Sequence, residues 1–158
     1  MPRKEHVGHP ALTDPETGLA NQLHFGLVYG YLFGAGDRGV ALTVMLLQVD
    51  ALDTGEAGAR LLRSLGATLQ TATRSSDLVA HLGAGRFVVL LMGSNLQGGL
   101  LAGDRLQSAV QEVAPGPISV GLAAYSPDMK KESELLEAAE GALKRAREAG
   151  GGIEVVHT

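Results

Sequence analysis

Cysteine is absent from the 158-residue chain, and so is tryptophan. Without cysteine there is no disulfide framework, no thiol nucleophile and no thiolate zinc site. A cationic excess is missing as well: 13 Lys and Arg stand against 17 Asp and Glu, a net charge of −4. That balance argues against a duplex-binding basic face and against a polybasic membrane patch, so neither nucleic acid nor membrane is expected as a partner. The longest apolar stretch, residues 40–47, is broken by Thr43 and is far too short to span a bilayer. The polar residues 1–9 lack the apolar core of a signal peptide, and a cytoplasmic location is the expectation.

What is present is enough for one globular domain. Apolar residues make up 45% of the chain and charged residues 19%, a composition that supports a packed core at this length. The expected organisation is a flexible N-terminal tail over 1–11 and a single domain over 12–158. The 22 glycines fall largely in clusters that punctuate the chain.

After the turn Asp14-Pro-Glu-Thr-Gly18, residues Leu23, Leu27, Val28, Tyr31 and Leu32 recur at helical spacing and predict a helix over 21–33, closed by Gly34. The near-continuous apolar run 40–49 reads as a strand covered on both faces. Leu61, Leu62, Leu65 and Leu69 form the core stripe of a helix over 56–73. Two strands, 78–82 and 86–92, joined by Gly83-Ala84-Gly85, make a hairpin. A helix over 99–113, a strand over 118–125, a helix over 133–149 with Ser133 as N-cap, and an edge strand over 153–157 complete the chain. The order predicts an α/β (α+β) sandwich: a ferredoxin-like β-α-β-β-α-β core with an extra helix and an edge strand.

Four segments of this chain carry a resemblance. Asp14-Pro-Glu-Thr-Gly18-Leu19-Ala-Asn21 resembles the D-x-L-T-G-L-x-N opening of GGDEF domains, the diguanylate cyclases of bacterial signalling. Arg74-Ser-Ser-Asp77 followed by Gly83-Ala84-Gly85-Arg86-Phe87 resembles the R-x-x-D segment and the G-G-(D/E)-E-F hairpin. Ser119-Val-Gly121-Leu-Ala123 is similar to the S-I-G-V-A strand, and Ala139 to Gly150 to A-D-x-A-L-Y-x-A-K-x-x-G. The match runs from about residue 12 to the end, with the four motifs in order.

The resemblance implies a nucleotidyl-cyclase-like fold, and it also implies losses. Joining two GTP molecules needs divalent metal held by carboxylates. Gln48 stands for the first acid of the family's D-x-D, Gly85 and Arg86 for the acids of the hairpin, and Ala84 for its second glycine. The segment between Asp50 and Gly58 is short and lacks Asn, with Ala59 in place of the guanine-reading Asp. Arg147 replaces a phosphate-contacting Lys, while Gly151 and Gly152 replace the R-N that follows. No catalytic residue, metal or cofactor is expected: the chain reads as a non-enzyme, a degenerate cyclase.

Arg74 and Asp77 keep the R-x-x-D pattern and its spacing to Gly83, which in the family binds cyclic di-GMP. Arg105 matches a second arginine that a neighbouring domain contributes in some members. A guanidinium can donate to guanine O6 and N7, and a carboxylate can accept from N1–H and N2–H₂. The same residues equally suit a helix end and its turn, with Arg74 favoured by the helix dipole and Asp77 bonding turn amides.

Other candidates are weaker. His6, His9, His24, His81 and His157 are scattered, and His81 is expected on a strand surface. Residues 34–39 lack G-K-(S/T), and Ser75, Ser76 and Ser119 lack a G-x-S-x-G setting. The low-charge segment 91–101 suits either a docking surface or an ordinary strand-to-helix loop. Three functions stay open: a cyclic di-GMP receptor, a nucleotide-independent interaction module or homodimeric scaffold, and a residual GTP-binding regulator or active cyclase. With no fused input or output domain in the sequence, any signal is expected to pass through an unidentified protein partner or through self-association, and a homodimer is expected from the family.

Overall fold

Eight consecutive residues, Leu42–Val49, form strand β1, and every one of them is buried. Strand geometry sends alternate side chains to opposite faces, so continuous burial means that both faces are covered. Met45, Leu47 and Val49 join one core cluster, whereas Leu42, Val44 and Leu46 join another. The computed structural model describes residues 9–50 and 52–156. Around β1 stand α1 (Gln22–Gly36), α2 (Gly55–Ala72), β2 (Leu78–Gly83), β3 (Arg86–Met92), α3 (Leu96–Gln111), β4 (Ile118–Ala124), α4 (Glu132–Glu148) and β5 (Gly152–Val156). This is the expected element order.

The sheet runs β2-β3-β1-β4-β5. β1 pairs antiparallel with β3 and β4, and β5 adds parallel to β4 at one edge. The first four strands in that order, with α2 and α3 as crossovers, are the ferredoxin-like core; α1, α4 and β5 are additions. Leu65 and Leu69 of α2 and Leu106 and Val110 of α3 pack on one face of the sheet. Phe25, Tyr29 and Leu32 of α1 and Leu135, Ala139 and Leu143 of α4 pack on the other. Gly121 lets α4 come this close: a Cβ there would lie 2.3 Å from the Leu143 nitrogen and 2.6 Å from the Ala139 carbonyl oxygen.

Several element ends differ from expectation, each for a local reason. α1 does not close at Gly34 but continues to Gly36, where the Tyr125 ring leaves no room for a Cβ, and Gly39 takes the left-handed conformation (φ +87°). α3 starts three residues early because the Asn95 side chain accepts the Gly98 N–H at 2.9 Å. Ser133 is not the N-cap of α4. Lys131 holds that position, and the Glu134 carboxylate reaches back to accept the Lys130 and Lys131 N–H groups at 2.5 and 2.7 Å. Those bonds, first the one from Lys131, hold the Glu134 carboxyl below its usual range.

Residues 1–8 of the expected tail, and His157 of the expected last strand, lie outside the described residues. Pro10–Leu12 form a short 3-10 turn, and the Ala11 carbonyl accepts from Asn21 Nδ2 at 2.9 Å. Among the described residues no helix is long and apolar enough to cross a membrane.

Candidate functional site

The β2–β3 hairpin turns on two residues, Ala84 and Gly85, with φ of +52° and +76°. Positive φ at both central positions is what a two-residue hairpin of the type I′ kind requires. Ala84 is the single non-glycine residue with positive φ among the described residues. Beyond the turn, β3 lies beside β1 with Arg86 opposite Gln48. Arg86 Nε donates to Gln48 Oε1 at 2.9 Å, and Gln48 Nε2 donates to the Ala84 carbonyl at 3.0 Å. The buried Gln48 amide thus has both ends occupied, which is how a buried amide avoids an unpaired polar group. Phe87 is fully buried, its ring centroid 4.9 Å from that of His81.

Gly85 sits under the start of the β1–α2 connection. Its carbonyl accepts the Val49 N–H at 2.9 Å, and a Cβ would fall 2.4 Å from the Val49 oxygen and 2.7 Å from Leu52 Cδ1. Any side chain at this position must displace backbone. Beside the hairpin opens a cleft of about 550 Å³ lined by Asp50, Arg86, Glu140, Lys144, Arg147 and Glu148. Arg147 Nη2 meets Asp50 Oδ1 at 2.9 Å, so the carboxylate at the end of β1 is already paired.

On the far side of the hairpin strands, α2 ends and the chain turns through Arg74 to Asp77. Asp77 Oδ2 accepts the Arg74 N–H at 3.0 Å and lies 3.6 Å from Arg74 Nε. The Asp77 side chain is fully buried, whereas that of Arg74 is 57% exposed. Arg74 Nη2 donates to Ser94 Oγ at 2.7 Å, a partner that nothing in the sequence pattern marks. Arg105, from α3, donates Nε to the Ala72 carbonyl at 3.2 Å. The same chain therefore brings Arg74 and Arg105 to one helix end. Asp77 Oδ1 is buried with no hydrogen-bond partner among the described residues.

His81 is not on a strand surface: it is 3% exposed. The cause is the Asp14 turn, which folds over β2 through the His81 N–H to Ala20 carbonyl bond at 3.1 Å. His81 Nδ1 lies 3.0 Å from Asp14 Oδ2 and 3.9 Å from Glu16 Oε1. These three side chains could bring one ligand atom each to a cation, all within 4.8 Å. Asp14 Oδ2, however, already accepts from Thr17 N and Thr17 Oγ1 at 3.0 and 2.7 Å. His81 Nε2 has no partner among the described residues to orient a metal-bound imidazole. The group works as a clasp between turn and strand.

The segment 91–101 divides. Leu91 is buried and Leu96 packs against the core, while Met92, Leu100 and Leu101 stay exposed.

Residues 11–152 match the model of the diguanylate cyclase, GGDEF domain family. The uncharacterized protein y4lL of Sinorhizobium fredii is 31% identical over 166 residues, an alignment that covers 96% of this chain and 20% of that protein. Diguanylate cyclase DgcP of Pseudomonas aeruginosa is 30% identical over 155 residues, covering 89% of this chain and 23% of that one. The chain thus spans about a fifth of the length of these relatives. In structure, the GGDEF domain of DgcB from Caulobacter crescentus, solved in complex with c-di-GMP, superimposes with a TM-score of 0.83 at 17% identity. That superposition covers 95% of this chain and 98% of the other.

Proposed function

Because this chain belongs to the GGDEF family of diguanylate cyclase domains, we propose that it is a signalling domain that makes no cyclic di-GMP and binds it through Arg74, Asp77 and Arg105. The observation that carries this reading is the state of Arg74. Its backbone and side chain are tethered by Asp77 and Ser94, yet more than half of the side chain faces solvent, with Arg105 anchored two residues away at Ala72. A pre-oriented guanidinium donates to guanine O6 and N7 with little loss of freedom, and a second one suits a phosphate oxygen. Asp77 Oδ1 adds a buried acceptor without a donor among the described residues. Guanine N1–H and N2–H₂ are donors of the matching kind, and an unmet buried acceptor is costly to leave so.

The non-catalytic half of the reading rests on the hairpin. Attack of a 3′-hydroxyl on an α-phosphate needs divalent metal to offset the growing negative charge. Hard cations take oxygen ligands, chiefly carboxylates. At the positions the family uses for this, Gln48 is committed to Arg86 and the Ala84 carbonyl, and Gly85 has no room for a side chain. Arg86 adds a fixed positive charge, and Asp50 is paired with Arg147. This donor set does not fit magnesium. A second reading, an interaction module indifferent to nucleotide, is favoured by the exposed Met92, Leu100 and Leu101.

Isothermal titration of nucleotide-free protein with cyclic di-GMP tests the proposal, with Arg74→Ala and Arg105→Ala in parallel. Both side chains are exposed, so both variants keep the fold. Binding that is abolished in the first and weakened by about tenfold in the second is the expected result. No heat at high protein concentration supports the interaction module. Conversion of GTP to cyclic di-GMP by the purified protein overturns the non-catalytic reading.

A further inference from the structure

The far end of Arg74 is held at a single point. Among the described residues its guanidinium makes one hydrogen bond, from Nη2 to Ser94 Oγ at 2.7 Å. Asp77 Oδ2 accepts the Arg74 backbone N–H, but it stands 3.6 Å from Nε, too far for a second bond of that kind. The Arg74 side chain is 57% exposed, and a freely rotating arginine has about 2 kcal/mol of rotamer entropy to lose when it is ordered. Where this guanidinium points is therefore set by Ser94.

Ser94 is itself fixed from the core. It lies in the short turn between β3 and α3, and its carbonyl accepts from Thr43 Oγ1 at 2.9 Å. Thr43 is wholly buried in the central strand β1. On one side of Ser94, Gly93 takes φ +80° and donates its N–H to the Ala41 carbonyl at 2.7 Å. On the other side Asn95 caps α3. That helix rests directly on Thr43, since a Cβ at Gly99 would lie 2.7 Å from Thr43 Cγ2. The hydroxyl that meets Arg74 thus stands on the sheet, and not on a loop free to follow the arginine.

Resting on the receptor reading above, we propose that Ser94 makes this site choose guanine over adenine. A guanidinium pinned through Nη2 presents its other N–H groups as a fixed set of donors, with Nη1 unpartnered among the described residues. Guanine offers such a set two acceptors, O6 and N7, whereas adenine puts its N6 amino group, a donor, in place of O6. Against a fixed guanidinium that amino group meets a donor and loses water, which is costly. A guanidinium free to swing turns one N–H to adenine N7 and leaves the amino group solvated. Selectivity is a difference between two affinities, and pinning Arg74 strengthens one while weakening the other. Ser94 acts through Arg74 as a positioning residue. The R-x-x-D pattern supplies the donor, and a serine outside that pattern aims it.

Isothermal titration with cyclic di-GMP and, in parallel, cyclic di-AMP tests this on the wild type, Ser94→Ala and Ser94→Thr. The wild type is expected to bind cyclic di-GMP the more tightly. Ser94→Ala is expected to bind it about tenfold more weakly and cyclic di-AMP no more weakly than wild type, so that the ratio of the two dissociation constants falls by about tenfold. Ser94→Thr keeps the hydroxyl and is expected to keep the ratio. A ratio that Ser94→Ala leaves unmoved overturns this inference and leaves the receptor reading standing, as does a threonine variant that behaves like the alanine one. A wild type that binds neither ligand overturns both.

Discussion

Ala84 holds φ +52° at the tip of the hairpin, a conformation that costs an L-residue with a Cβ roughly 1–2 kcal/mol. Glycine avoids that cost but loses more backbone freedom on folding, about 0.5–1 kcal/mol. Ala84→Gly is therefore expected to stabilise the protein by about 0.5–1 kcal/mol and to raise Tm by roughly 1–4 °C, read by differential scanning calorimetry. Its neighbour behaves in the opposite sense. Gly85→Glu places a Cβ 2.4 Å from the Val49 oxygen at a φ of +76°. A loss of about 2–4 kcal/mol in urea denaturation is expected, with no gain of magnesium-dependent GTP turnover. A side chain at this position has no space beside Val49 and Leu52.

At the scale of elements, α4 begins on a side chain that the residue pattern misplaces. Glu134 accepts two backbone N–H groups ahead of the helix, and these hold its carboxyl below the ordinary 4.5. A carboxylate whose folded pKa is depressed stabilises the fold above its unfolded pKa, and that contribution is lost as pH falls through the folded pKa. Glu134→Gln is thus expected to lower Tm at neutral pH, with the gap to wild type closing below about pH 4. Circular dichroism melts across that range measure it. The element order itself was legible because the signals were local: continuous apolar character for β1, the leucine stripe of α2, the glycines around the hairpin. Boundaries depended on less local partners, such as the Tyr125 ring on Gly36 and the reach of Glu134 back to Lys130.

For the whole molecule, the prediction is one of linkage. A ligand that binds only the folded state stabilises it by about 2.7 kcal/mol at a hundredfold excess over Kd. Cyclic di-GMP is then expected to raise Tm by roughly 5–10 °C for a chain of this size, and Arg74→Ala to abolish the shift in the same thermal scan. The site residues were legible as types and spacings, while their roles were not. Arg74 finds Ser94 20 residues on, Gln48 finds Arg86 at 38, and His81 is clasped by Asp14 at 67. Such partnerships arise only when the sheet assembles, so a motif in the chain cannot announce them.

That assembly bears on how quickly the protein folds. The central strand has no neighbour nearby in sequence: its closest pairing joins Gln48 to Arg86 across 38 residues, and its other partner, β4, comes later still. Closing such long loops is an entropic cost met before any contact repays it. Among the described residues the β2–β3 hairpin is the one strand pair with a two-residue connection, and so the natural first step. A left-handed alanine at its turn then acts as a brake on nucleation. In refolding kinetics, relieving it should speed the folding limb of the chevron and leave the unfolding limb in place.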